Sequence, residues 1–208
     1  MTFNPYPVYE SHRPAFDNYL ERLLKWNRKI NLTAITNPSE VVERHFLDSL
    51  MMLPLLPPPA SPGMALLDIG SGGGFPGIPL KIVRPDLQVV LVDSVRKKCD
   101  FMNEVIRSLD LKNCQALHLR LEEDAPSTVG TFDVMTSRAA LSLRSLVQIT
   151  RHLFRPEGRM IAFKGADIEE EKEEAQRWMT ANNLALSLST RSYELPSLRQ
   201  KRHFVIIG

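Results

Sequence analysis

The chain has 208 residues, 43% of them hydrophobic and 24% charged, proportions that exclude a disordered chain, a fibrous repeat or a coiled coil and suit one domain with a small extension. Lys and Arg number 26 against 24 Asp and Glu, so there is no bulk polycation and any nucleic-acid surface must be local. Two cysteines, Cys99 and Cys114, are too few for a disulfide framework and, without C-x-x-C or Cys/His clustering, predict no metal site.

The first residues show no basic stretch followed by an apolar one, and the longest apolar run, residues 50–56, is broken by Pro54. A reducing cytoplasmic setting and no membrane are expected. Phe16, Leu20, Leu23 and Leu24 recur at i, i+4, i+7 and i+8, predicting an amphipathic helix that ends near Asn27 or Asn31. Asn37-Pro38-Ser39-Glu40 offers an N-cap, a proline at the first helical position and an acid three residues on. It opens a second helix with Val42, Phe46, Leu50 and Leu53 on one face. The prolines 57–59 and Ser61-Pro62-Gly63 then form a stiff connection, dividing a helical extension, residues 1–60, from a second domain, residues 61–208.

From Met64 onward short apolar runs alternate with helical patterns, the signature of βαβ repetition. Strands are predicted at 65–69, 87–93, 114–119, 132–137 and 159–164, with helices near 77–84, 95–109, 141–154 and 167–182. The acidic run 167–174 reads as the solvated start of the last helix. Leu184, Leu186 and Leu188 alternate with Ala185 and Ser187, and residues 203–207 follow after a polar loop, so the pair reads as an antiparallel hairpin. The fold class is α/β: a mostly parallel, Rossmann-like sheet ending in an antiparallel hairpin, the methyltransferase variant of the doubly wound fold.

The sharpest motif runs from Leu66 to Gly77 and lies where the first strand turns into the first helix. Glycines there allow positive φ and let backbone N–H groups approach a ligand. Gly72-x-Gly74-x-x-Gly77 satisfies the dinucleotide pattern, whereas Asp68-x-Gly70-x-Gly72-x-Gly74 fits the loop on which class I methyltransferases seat S-adenosylmethionine. The Asp68 carboxylate favours the second reading, because it would repel a pyrophosphate but accept hydrogen bonds from a cationic amino-acid moiety. Asp93, at the end of the second strand, suits ribose hydroxyls and is shared by both kinds of site. After the fourth strand stands Thr136-Ser137-Arg138, with neither an Asn/Asp-Pro-Pro-aromatic segment to hold an exocyclic amine nor a Pro-Cys nucleophile. The acceptor should therefore already be nucleophilic; guanine N7 is one member of that class.

Taken in order, Trp26-Asn27-Arg28-Lys29-Ile30-Asn31-Leu32-Thr33, Arg44-His45-Phe46-Leu47-Asp48-Ser49, the glycine loop, Asp93-Ser94, Leu121-Glu122-Glu123 and Ser137-Arg138-Ala139 resemble the RsmG (GidB) family over nearly the whole chain from Trp26. Its members are bacterial 7-methylguanosine methyltransferases of small-subunit ribosomal RNA. The resemblance implies S-adenosylmethionine as cofactor and 16S rRNA, or a particle containing it, as partner. It also implies cofactor contacts at Gly70, Phe75, Leu121, Glu122 and Arg138. Each has a physical role: Phe75 to wall the pocket, Leu121 and Glu122 to frame the adenine, and Arg138 to meet the methionine carboxylate or an RNA phosphate.

His45 and Asp48 lie one helical turn apart and face the same way. Either they touch the target guanine or close the cofactor pocket together with Asn31, or they brace the helical extension against the sheet. Arg138, His45 and Asn31 are thus the candidates for chemistry. RNA contacts are expected from Arg28 and Lys29, from Arg96 and Lys97 with Lys98, and from Arg199, Lys201 and Arg202. With 7% aromatic residues, recognition by RNA shape and phosphates is expected more than by unstacking of many bases. Two other classes are compatible with the motifs: an inactive RNA- or nucleotide-binding module on the same fold, and a nicotinamide oxidoreductase.

Overall fold

A computed structural model describes residues 3–59, 63–122, 129–138, 140–195 and 200–208. The chain begins with α1 (Tyr6–Ser11) and α2 (Arg13–Asn27), then a helical rod made of α3 (Pro38–Val41), a π-helical stretch (Val42–Leu47) and α4 (Asp48–Leu50). There follow β1 (Ala65–Ile69), α5 (Gly77–Val83), β2 (Gln88–Asp93), α6 (Arg96–Ser108), β3 (Cys114–His118) and β4 (Phe132–Arg138). Next come α7 (Leu143–Thr150), β5 (Phe154–Lys164), α8 (Glu169–Ala181), β6 (Leu188–Glu194) and β7 (Lys201–Ile207).

The strands form one sheet in the order β3-β2-β1-β4-β5-β7-β6. β1 to β5 are parallel, with Leu67 opposite Val90 on one side and Met135 on the other; β7 runs antiparallel to β5 and to β6. Because β1 is flanked by β2 and β4, the chain leaves it in one direction and returns on the other, which opens a crevice at the strands' carboxyl ends. β1 is buried along its whole length, as a central parallel strand covered on both faces must be. Its alternation sorts the two cores: Leu66 joins α1 to α6, while Ala65, Leu67 and Ile69 join α7 and α8.

The helices before residue 57 share the first core with the sheet, through rings of Tyr9, Phe16, Phe46, Tyr19 and Phe75 at centroid spacings of 5.0 to 5.9 Å. Such pairs each contribute about 0.5–1.5 kcal/mol beyond area burial. On α2 the buried stripe is Phe16, Tyr19 and Leu23, with Leu20 and Leu24 half-buried, a slight rotation of the predicted face. Asn37 caps α3, its side-chain oxygen accepting from Ser39 and Glu40 N–H. In the rod that follows, Val41 and Phe46 are fully buried whereas Val42 is not. The wider π turn adds a residue between successive core positions, which strict α spacing from Val42 does not anticipate.

Two further boundaries differ. β5 begins at Phe154, opposite Phe132, and its register shifts before Arg159, where Glu157 adopts φ +61°; this irregular opening hid it from periodicity. The hairpin's first strand is the polar segment Leu188–Glu194, not the alternating leucines before it. As the sheet's edge it has little face to bury, so serine, threonine and arginine suffice.

Candidate functional site

The loop after β1 is built on the end of β2. Gly70 and Ser71 N–H donate to Val92 O at 2.9 and 3.1 Å, and Gly72 N–H donates to Asp93 Oδ2 at 2.9 Å. Gly72 has φ +58°, and a Cβ there would have nothing nearer than Gly70 O at 3.9 Å, so this face of the loop is open for close approach. Gly74 faces the other way. With φ +91°, its added Cβ would lie 2.5 Å from Ile78 Cδ1 and 2.7 Å from the Tyr19 hydroxyl oxygen. Gly74, expected as a cofactor contact, is small because α2 and α5 pack there.

Asp68 and Phe75 are relocated likewise. Asp68 shares the parity of Leu66, so its side chain lies under the loop and not in the crevice wall; Oδ2 accepts from Gly77 N–H at 2.8 Å. Burial pushes its pKa up to about 7, and Oδ1 is buried without a partner. Phe75 is core, its ring 5.6 Å from Tyr19 and 4.6 Å from His45. Both support the loop from beneath.

The crevice holds a cavity of about 630 Å³, lined among others by Ile69, Gly70, Asp93, Leu121, Glu122 and Arg138. Asp93 is nearly buried and gives one oxygen to Gly72 N–H and the other to Val95 N–H, at 2.9 Å each. A carboxylate has about four acceptor positions, so two remain for a ligand. The large apolar side chains that stand exposed among the described residues, Val95 and Leu141, both sit on this cavity. Exposed apolar surface confined to a concave rim is what a ligand covers. The open face of Gly72 and the spare acceptors of Asp93 fit a nucleoside-bearing cofactor.

Arg138 reaches from the end of β4 to the helical rod. Its guanidinium donates to His45 Nδ1 at 3.0 Å, Arg44 O at 3.2 Å and Asp48 Oδ2 at 3.4 Å, and lies 4.8 Å from the Phe75 ring centroid. Arginine cannot accept a hydrogen bond, so His45 Nδ1 is the acceptor and Nε2–H donates to Thr33 Oγ1 at 2.7 Å. Burial and the adjacent Arg138 charge hold the imidazole neutral, its pKa lowered to about 3. Asp48, fully buried, also accepts from Tyr193 and from Arg202, both at 2.8 Å. His45 and Asp48 therefore form a brace between rod, sheet and hairpin. Asn31 is exposed and lies outside this brace; Asn27 closes the turn, accepting from Leu32 and Thr33 N–H.

Of the basic candidates, Arg202 is withdrawn from the surface by its pairing with Asp48. Arg28, Lys29, Arg96, Lys97 and Lys201 are exposed, and Arg199 lies outside the described residues. Sequence reasoning missed Tyr19, whose hydroxyl donates to Gly73 O, and the cavity positions Val95 and Leu141. Tyr19 falls three residues after Phe16, a spacing that could have flagged it; the other two follow the signal residues Asp93 and Arg138 closely but carry no pattern of their own.

Strand order, glycine loop and crevice together define a class I, Rossmann-like methyltransferase fold. Solved structures of similar fold include the Aeropyrum pernix fibrillarin with natively bound S-adenosyl-L-methionine, with TM-score 0.57 and 15% identity over 78% of this chain and 74% of that one. A ribosomal protein L11 methylase from Lactobacillus delbrueckii subsp. bulgaricus gives TM-score 0.58 and 13% identity over 79% and 78%. Residues 12–205 match the rRNA small subunit methyltransferase G (GidB) family, and the chain belongs to it. It is 44% identical over 190 residues to the Ribosomal RNA small subunit methyltransferase G of Geobacter sp. (strain M21), covering 91% of this chain and 85% of that protein. With the protein of the same name from Desulforamulus reducens it shares 40% over 200 residues, 95% and 82% of the two.

Proposed function

We propose that this chain transfers the methyl group of S-adenosylmethionine to N7 of a guanosine in small-subunit ribosomal RNA, acting in the cytoplasm on the RNA or on a particle containing it. The observation that carries the reading is the convergence of Gly70, Asp93, Leu121, Glu122 and Arg138 on one cavity at the carboxyl ends of the parallel strands, in a chain of this family. In this reading residues 1–60 are a helical extension and residues 61–208 the cofactor-binding domain. Among the described residues no helix is long and apolar enough to cross a membrane.

When bound, S-adenosylmethionine supplies an electrophilic methyl group carried by a sulfonium sulfur. Asp93 is placed to accept from the ribose hydroxyls with the oxygen positions its two N–H donors leave free. Val95, Leu121 and Leu141 would give the adenine apolar cover, and the Glu122 backbone would frame its edge. The open face of Gly72 would admit the chain between ribose and amino acid, and Arg138, which also lines the cavity, could offer a carboxylate those N–H donors that Arg44, His45 and Asp48 leave unused.

Among the described residues the cavity lining includes no histidine and no cysteine. His45, the nearest imidazole to Arg138, has both nitrogens engaged, and its lowered pKa makes it a poor base. Ser137 is equally occupied, its hydroxyl donating to Ile69 O at 2.9 Å. This suits an acceptor with an exposed lone pair and no proton to lose, as guanine N7 has, with catalysis by positioning and desolvation. The test is chemical cleavage at 7-methylguanosine in small-subunit rRNA from cells with and without this protein. A site lost without the protein and restored by purified protein plus S-adenosylmethionine supports the reading; identical cleavage in both strains, or transfer to another atom, refutes it.

A further inference from the structure

A second hollow, of about 310 Å³, lies between α2 and the start of α6 and is lined by Lys25, Trp26, Lys29, Ile30 and Lys97. Its composition is unusual in two ways. All of its charged members carry the same sign, and among the described residues none of these lysines has an acidic partner; each is exposed. Its remaining surface is apolar, an indole and an isoleucine, and the indole is anchored on the fully buried Phe101 ring at 5.8 Å. Three lysines around one hollow, without a counter-charge, make a local surplus of positive charge that suits an anionic ligand.

From this we infer that the hollow is a docking site for a nucleotide of the RNA substrate beside the one methylated, its base against Trp26 and Ile30 and its flanking phosphates among Lys25, Lys29 and Lys97. The inference rests on the rRNA-methylation reading. A flat apolar face with a cationic rim is the complement of a nucleotide: stacking tolerates any base, and the lysines follow the backbone. An acidic peptide would satisfy the lysines but leave the fixed indole without a purpose. The position fits as well, because Lys97 lines this hollow while the next residue, Lys98, lines the cofactor cavity. RNA held here crosses the first turn of α6 to reach the transfer site, so the two sites read neighbouring stretches of one strand.

Trp26 and Trp178 are the chain's two tryptophans, so a Trp178→Phe protein reports on Trp26 alone. The probe is unmethylated small-subunit rRNA from cells lacking this protein, with poly-glutamate as the acidic-polypeptide control. RNA is expected to quench Trp26 fluorescence saturably. Lys25→Gln/Lys29→Gln/Lys97→Gln is expected to weaken RNA binding at least 10-fold and to flatten the plot of log K against log salt by about 2, roughly 0.7 for each single-strand phosphate no longer neutralised. Trp26→Leu should weaken it about 10-fold with less change in that slope. Both variants should keep wild-type affinity for S-adenosylhomocysteine, and the loss should fall on KM for RNA. If wild type methylates rRNA while the triple variant binds it equally well, or if poly-glutamate quenches Trp26 as strongly as RNA, the docking site is wrong although the function stands. If wild type transfers no methyl group to rRNA, the functional reading falls and the docking site with it.

Discussion

Asp68 and His45 both feel the charge of Arg138, and their proton equilibria are displaced in opposite directions. Burial raises Asp68 from 3.8 to about 7; burial and Arg138 lower His45 from 6.5 to about 3. Between about pH 4 and 6.5 the folded chain thus holds a proton on Asp68 that the unfolded chain has lost, so Asp68 contributes stability that fades as pH rises through 7. Over the same window the unfolded chain holds a proton on His45 that the folded chain refuses, so His45 contributes stability that fades as pH falls from 6.5. Each slope is about 1.4 kcal/mol per pH unit, with opposite signs, and the two offset one another. Asp68→Asn keeps an acceptor for Gly77 N–H and removes one slope. Relative to wild type, the variant should lose about 3 kcal/mol on acidification from pH 6.5 to 4, whereas His45→Gln should gain a similar amount. Urea unfolding at half-unit pH intervals, with the slope m checked for constancy, measures this directly. If wild type, Asp68→Asn and His45→Gln give parallel stability curves across pH 4–7, the opposed titration is wrong.

Asp93→Ala removes the acceptors for ribose and leaves the Gly72 N–H without its partner; calorimetric titration should show S-adenosylhomocysteine binding weakened by about 1–3 kcal/mol, and undiminished affinity would remove Asp93 from the cofactor site. Gly72→Val should leave the chain folded, at a cost of about 1–2 kcal/mol for a side chain at positive φ, yet abolish cofactor binding by filling the loop's open face, as titration alongside circular dichroism would reveal. Arg138→Lys keeps a charge but cannot bridge His45 and Asp48 while lying over Phe75. Its single-turnover methylation rate, with RNA and cofactor saturating, should fall on the order of 10²-fold through misplacement of about 1 Å; a wild-type rate would show that the fork has no part in alignment.

The strands β1 to β4 and helices α5 to α8 were legible in the sequence to within a few residues at most boundaries, because a buried parallel strand needs a continuous apolar run and each crossover helix its own periodicity. Gly70, Asp93, Leu121, Glu122 and Arg138, singled out from the strand-end positions and the family pattern, do line one cavity in the structure. What the sequence by itself did not determine was direction. Gly72 and Gly74 are the same residue two positions apart, yet a Cβ on the first would meet open space and one on the second Tyr19, a residue from a helix more than fifty positions earlier. Asp68 and Asp93 both stand at the ends of strands next to the loop, Asp68 one residue before the end of β1 and Asp93 last in β2, and the parity of β1 beneath α5 turns the first inward to Gly77. The roles of His45, Asp48 and Arg202 depended on contacts made across ninety or more residues of chain, His45 and Asp48 with Arg138 and Asp48 with Tyr193 and Arg202. Periodicity records which residues are apolar, and so which are buried; which buried polar groups meet is decided by the packing of elements distant in sequence, and only the tertiary structure carries it.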